Sequence, residues 1–193
     1  MRIKITIGLL LVGCVMLIAP AGATSGARPR NEVYSALAQL PAGGSTTNVK
    51  IYINGYSTPQ DAQRLHETLL KGGSNALLKA LGKMKTLGHI ERDGSVASYN
   101  FKLIVSTNTA TGRHIYAVAD RPIGFLEAYF NTRSRDYPFG ILELDLKSAG
   151  SDESEKGQGT LIYAAKIRVI HSEKVEIENV TFAPIKLLGV RQL

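Results

Sequence analysis

One stretch, Thr160 to Phe182, admits a single strand register and thereby limits what the chain can become. It reads as an antiparallel hairpin with arms Thr160–Ile170 and Val175–Phe182 around the polar turn His171-Ser172-Glu173. Ile167 then faces Ile177 and Val169 faces Val175 on one side, while Arg168 meets Glu176 and Lys166 meets Glu178 on the other. Aliphatic against aliphatic and cation against carboxylate is how cross-strand pairs stabilise a ribbon. A slip of one residue would set every charge against an apolar neighbour. Toward the far end both arms change character together: Ile162 faces Phe182 and Ala164 faces Val180, an apolar patch that requires a cover.

The rest of the pattern supplies more sheet and one helical insertion. Val33–Leu40 fits a first strand or a short helix. Val49, Ile51 and Ile53 alternate with Lys50, Tyr52 and Asn54, a half-buried strand ended by Asn54-Gly55. Ser57 or Thr58 can then cap a helix that has Pro59 in its first turn and Asp61 beside its positive end. Ala62, Leu65, Leu69 and Leu70 make an apolar stripe up to Gly72-Gly73. Leu77, Leu78, Leu81 and Met84 make another after Ser74 or Asn75, so the pair reads as a helical hairpin. Asp93-Gly94 predicts a two-residue turn with Ile90 opposite Ala97, followed by one inner face from Ala97 through Tyr99, Phe101, Leu103 and Val105. Leu142, Leu144 and Leu146 mark one side of a later strand, with Ile141, Glu143 and Asp145 on the other. The expected fold is α+β: a curved, mostly antiparallel sheet, open or closed into a barrel, with a helical hairpin inserted after an early strand. Residues 33–193 form one domain in this reading.

The N-terminus follows other rules. Arg2 and Lys4 precede an apolar run from Ile5 to Ile18, and Pro20 and Ala21-Gly22-Ala23 come after it. That is the layout of a signal peptide, residues 1–23, cut after Ala23; residues 24–32 form a flexible lead-in. The run is short for a membrane-spanning helix, so the mature chain carries no transmembrane span. The alternative is a lipoprotein anchored at Cys14, because Leu11-Val12-Gly13-Cys14 has the form of a lipobox. Either way the chain is exported, to the periplasm or beyond. Cleavage after Ala23 removes the one cysteine, which leaves packing and hydrogen bonds to stabilise the domain. It also lowers the formal charge from +7 to +5 by removing Arg2 and Lys4. A modest positive balance suits an anionic surface. Export, and basic residues scattered among Glu and Asp, argue against nucleic acid.

No stretch spells out a reaction. There is no nucleophile motif, zinc spacing or phosphate loop, and nothing calls for a cofactor. His89-x-Glu91-x-Asp93 lies on the solvent side of its hairpin, where polar alternation explains it without a metal. The acidic loop around Asp152 fails the calcium-loop pattern, because Lys156 takes a ligand position. The segment that resists a purely structural account is Asp120 to Phe139. It sets Arg121, Glu127, Arg133, Arg135, Asp136 and Tyr137 among aromatic residues, and guanidinium groups among aromatics recur at recognition surfaces. These six are the candidate ligand-binding residues; internal ion pairing across an irregular crossover is the competing account.

Asp120-Arg121-Pro122-Ile123, the run Arg133-Ser134-Arg135-Asp136-Tyr137-Pro138-Phe139 and the helical Ala76–Leu81 resemble a pattern in small secreted bacterial proteins of unknown function. The resemblance implies export and bacterial origin, and no activity. The functional expectation is a non-catalytic binding or structural domain. A carrier of a small apolar ligand held between sheet and helices is the alternative. A hydrolase using carboxylates of the 120–139 crossover is a third reading.

Overall fold

The computed structural model describes residues 4–5, 31–40, 45–124, 136–147, 157–170, 174–180 and 183–193. Its strands are β1 (Lys4–Ile5), β2 (Glu32–Gln39), β3 (Thr46–Ile53), β4 (Gly88–Arg92), β5 (Ser98–Thr109), β6 (Gly112–Ala119), β7 (Phe139–Lys147), β8 (Gly157–Ile170), β9 (Lys174–Asn179) and β10 (Ile185–Gln192). A helical element, α1 (Pro59–Leu81), joins β3 to β4. Every pairing is antiparallel. Because β8 bonds to both β7 and β10, eight strands close into a barrel in the order β2-β3-β4-β5-β6-β7-β8-β10. Closure removes the sheet edges that would otherwise template aggregation. Val33–Leu40 resolves as strand, β2, with Tyr34, Ala36 and Ala38 turned inward.

The barrel interior is filled. Tyr34, Ile51, Ile90, Phe101, Ile115, Leu142, Leu161 and Leu187 are each no more than 1% exposed. An eight-stranded barrel is just wide enough for its own side chains to fill it. Burying each large apolar side chain contributes about 1.5–3 kcal/mol.

Only the first part of β8 lies in the barrel wall. Its second half continues past the rim and pairs with β9, matching Ile167 with Ile177, Arg168 with Glu176 and Val169 with Val175. That is the register expected from the sequence; its turn, 171–173, lies outside the described residues, as does Phe182. The ion partners differ in detail. Arg168 reaches diagonally to Glu178, which also accepts a 2.5 Å hydrogen bond from the Tyr137 phenol. On β9's outer side the two-residue β1 adds Lys4 opposite Glu178 and Ile5 opposite Ile177.

Three expectations are corrected. The helical hairpin is one element, α1, broken at Gly73, whose φ of 69° and ψ of −167° leave helical geometry. The break keeps both leucine stripes on the same side of the sheet: Leu65, Leu69, Leu77 and Leu81 share one cluster. Thr58 is the cap, its hydroxyl accepting from the Asp61 amide at 3.1 Å. Second, β4 and β5 pair two residues away from the expected register, Ile90 opposite Tyr99 and His89 opposite Asn100. A turn does close from Arg92 to Ser95, but the Ser95 hydroxyl then accepts from the Ala97 amide and holds an extra loop that leaves Val96 in solvent. Third, β5 does not keep one inner face. Phe101 and Ile104 point inward, whereas Leu103 and Val105 point out.

Candidate functional site

The outward turn of Leu103 and Val105 has a local cause. Phe101 pairs with Ala119 and Leu103 with Val118, so β5 carries one residue more than β6 at Lys102. Such a bulge swaps the faces of everything that follows it. A second bulge does the same to β8: Ile162 pairs with Ile141 but Ala165 with Phe139, one residue too many for β7. Past it, Ala165 and Ile167 face outward instead of into the barrel. Two apolar stripes are thereby moved to the exterior.

Helix α1 covers them, and the cover is incomplete. Between α1 and the outer face of the sheet lies an apolar groove of about 380 Å³. Leu65, Leu69, Leu77 and Leu81 of α1 form one wall. Leu103 and Val105 of β5 with Tyr116 and Val118 of β6 form the floor, and Ile167 and Val175 of the outlying hairpin close the far side. The helix is tied down at both ends. Ser57 exchanges bonds with Ile104 at its start (2.7 Å from the Ser57 amide, 3.1 Å to its hydroxyl), and the Lys102 ammonium donates to the Met84 carbonyl at 3.2 Å beyond its end. Midway, the Ser74 hydroxyl donates to the Ile167 carbonyl, on the side of β8 away from β9.

One end of the groove is polar. Glu143 of β7, His114 of β6, His66 of α1 and the exposed Thr107 and Thr109 form its rim. Glu143 is half-buried and lies between Tyr116 on one strand and Thr160 on the other, whose hydroxyl donates to it at 3.3 Å. Burial pushes its carboxyl above the ordinary carboxylate range, against the opposing pull of His114 and Thr160. The His114 Nδ1 lies 2.7 Å from the Asp145 carboxylate. Burial likewise pushes up the Tyr116 phenol, with the Glu143 charge adding to it.

A second polar cluster plugs one end of the barrel. The Arg113 guanidinium binds the Glu32 carboxylate through two contacts, 2.6 and 3.2 Å, and Tyr34 and Tyr56 donate to the same carboxylate at 2.6 and 2.9 Å. Burial alone would raise the Glu32 carboxyl, but the hydrogen bonds outweigh it and hold the group below its ordinary value. Arg113 also lies over the Tyr56 ring, 5.9 Å from its centre. Arg113, Tyr34 and Tyr56 all direct hydrogen bonds to the one carboxylate, which is what a structural plug requires.

Of the residues singled out from the sequence, the described ones, Arg121, Asp136 and Tyr137, are not among those that line the groove. Arg121 and Asp136 are exposed, and Tyr137 spends its hydroxyl on Glu178. Glu127, Arg133 and Arg135 lie outside the described residues. Nearby Ile123 has a structural part: it is fully buried and its amide donates to the Tyr163 carbonyl at 2.8 Å. The His89, Glu91 and Asp93 side chains are engaged separately: His89 stacks on Tyr52 at 4.4 Å, Glu91 accepts from the Tyr52 phenol, and Asp93 pairs with Lys50. Among the described residues no three His, Cys, Asp or Glu side chains are arranged to hold a metal ion, and no helix is long and apolar enough to cross a membrane. The rim residues Glu143 and His114 escaped sequence reading as a site because they join only across β6 and β7. The single hint was a carboxylate on an outward face beside Ile141. Compared with protein-family models, with curated proteins and with solved structures, the chain finds no match.

Proposed function

We propose that this chain is an exported binding protein that holds the apolar body of a small amphiphile in the groove beneath α1, its polar end at the Glu143–His114 rim. The observation that carries the reading is an apolar cavity of about 380 Å³ outside a barrel whose interior is already full. Ligand pockets typically span about 300–1,000 Å³, with apolar walls and a few polar groups to fix orientation. This groove has both. A fold that needed only stability would pack α1 directly on the sheet, since leaving apolar walls without neighbours forfeits dispersion contacts. The same argument favours a carrier over a purely structural domain.

The test is saturable uptake of a neutral, environment-sensitive dye such as Nile red, compared between the parent chain and Ala62→Trp. Ala62 faces the groove from the first turns of α1, so an indole there occupies ligand space without crossing the barrel. One-site binding in the parent and at least tenfold weaker binding in a folded Ala62→Trp support the reading. Equal uptake by both proteins would show that the dye sits elsewhere and the groove is not the site.

A further inference from the structure

The rim chemistry narrows the ligand class, an inference that rests on the groove being the binding site. Among the described residues lining the groove there is a carboxylate, Glu143, but no lysine or arginine. The remaining polar groups that face it are two imidazoles, His66 and His114, two threonine hydroxyls and the buried phenol of Tyr116, opposite Glu143. Asp145, two residues along β7, is drawn toward His114, and Thr160 offers Glu143 one long hydrogen bond. The carboxylate is therefore set at the end of an apolar trough with no lysine or arginine against it among the described lining residues, and the nearest imidazole, His114, is turned toward Asp145. Carboxylates in such walls are ordinarily paired, because an isolated buried charge is costly.

We propose that the missing partner is the ligand's own charge: the groove takes an apolar amine, with the ammonium group against Glu143 and the hydrocarbon along the leucines of α1. An ammonium at that point restores the ionised form that burial disfavours, since an opposite charge within about 4–6 Å favours the charged carboxyl. A fatty-acid or phosphate head would meet a like charge and find no guanidinium or ammonium to receive it. A neutral alcohol falls between: it can donate to Glu143 and brings no charge. His66 and His114 bring imidazole nitrogens to the rim, and the His114 Nδ1 is already engaged by Asp145 at 2.7 Å.

Three probes of one chain length separate these cases: dodecylamine, dodecanol and dodecanoate, each measured below its micelle-forming concentration by displacement of the neutral dye. The expected order is amine, alcohol, carboxylate, with the amine at least tenfold tighter than the carboxylate. In Glu143→Gln the amine should lose its advantage over the alcohol while dodecanol binding stays within about twofold of the parent. Retained dodecanol binding shows that the variant is folded and its groove intact. If dodecanol binds but the amine is not preferred, or if Glu143→Gln leaves the preference in place, the head-group assignment is overturned and the groove reading stands. If none of the three displaces the dye, both are overturned.

Discussion

Replacing Glu32 tests whether the polar plug stabilises the barrel through charge or merely fills space. The Glu32 and Arg113 side chains are 13% and 29% exposed, and the contact is bidentate. Breaking a fully buried pair from one side costs about 3–5 kcal/mol, because the surviving charge is stranded. Water reaching Arg113 offsets part of that, so Glu32→Gln should cost about 2–3 kcal/mol. Arg113→Met should cost less, about 1–2 kcal/mol, because two phenols still donate to the carboxylate it leaves behind. The double variant strands no charge and should fall short of the sum by about 1–2 kcal/mol. Urea unfolding of all four proteins gives the cycle; for a chain of this size Glu32→Gln should also lower the Tm by roughly 4–12 °C. The pH dependence has a fixed sign. The folded carboxyl lies below its ordinary value, so its contribution is complete above about pH 4.3 and is lost as pH falls through the folded pKa. The gap between parent and Glu32→Gln must therefore narrow in acid. Additive single costs, or a gap that widens in acid, would refute the charge argument.

Two further outcomes follow from the packing. Across straight-chain alcohols, affinity should rise about fourfold per methylene, the equivalent of about 0.8 kcal/mol, and level off once the groove is full; a series without a plateau would indicate an open surface instead of a bounded cavity. Gly159→Ala should destabilise by about 1–3 kcal/mol in chemical denaturation, because a Cβ there would come within 2.4 Å of the Glu143 carbonyl at the seam where β7, β8 and β10 close the barrel. Val96→Ser, at a fully exposed site, is the matched control and should change stability by no more than about 0.5 kcal/mol.

The parts of the fold that were legible in the sequence are those where chemistry repeats at a fixed period. The β8–β9 register could be read because aliphatic and charged residues alternate in step on both arms, and Thr58-Pro59-x-Asp61 announced the start of α1 by capping chemistry alone. The β4–β5 register was not legible, because the Asp93-Gly94 turn does form and only the following side-chain bond from Ser95 extends the loop. The bulges were hidden for a different reason. Leu103, Ile104 and Val105 are all apolar, so either face of β5 satisfies a period of two and the sequence holds no record of where the parity changes. Tyr163, Ala164 and Ala165 mask the β8 bulge in the same way. The apolar floor and far side of the groove depended on both.

That dependence explains why a binding site would lie outside this barrel. With Tyr34, Phe101 and Tyr163 filling its interior, the barrel leaves no room for a guest, and the available apolar surface is what the bulges turn outward. Each bulge supplies half of the trough: Leu103 and Val105 the floor, Ile167 the far side. Removing either would return its stripe to an interior that is already packed, so the two bulges are coupled to the barrel's own stability. The hairpin over the groove is secured from one direction by α1, through Ser74 and the Ile167 carbonyl. From the other direction, among the described residues, β9 is paired with the Lys4–Ile5 strand. Cleavage after Ala23 would remove that strand and leave, among the described residues, the α1 contact and the Tyr137–Glu178 hydrogen bond to hold the hairpin's free portion. The wall of the groove formed by Ile167 and Val175 would then have fewer anchors than the floor, and local opening begins where anchoring contacts are fewest. A ligand too long to enter past the Glu143 rim would have its other route there.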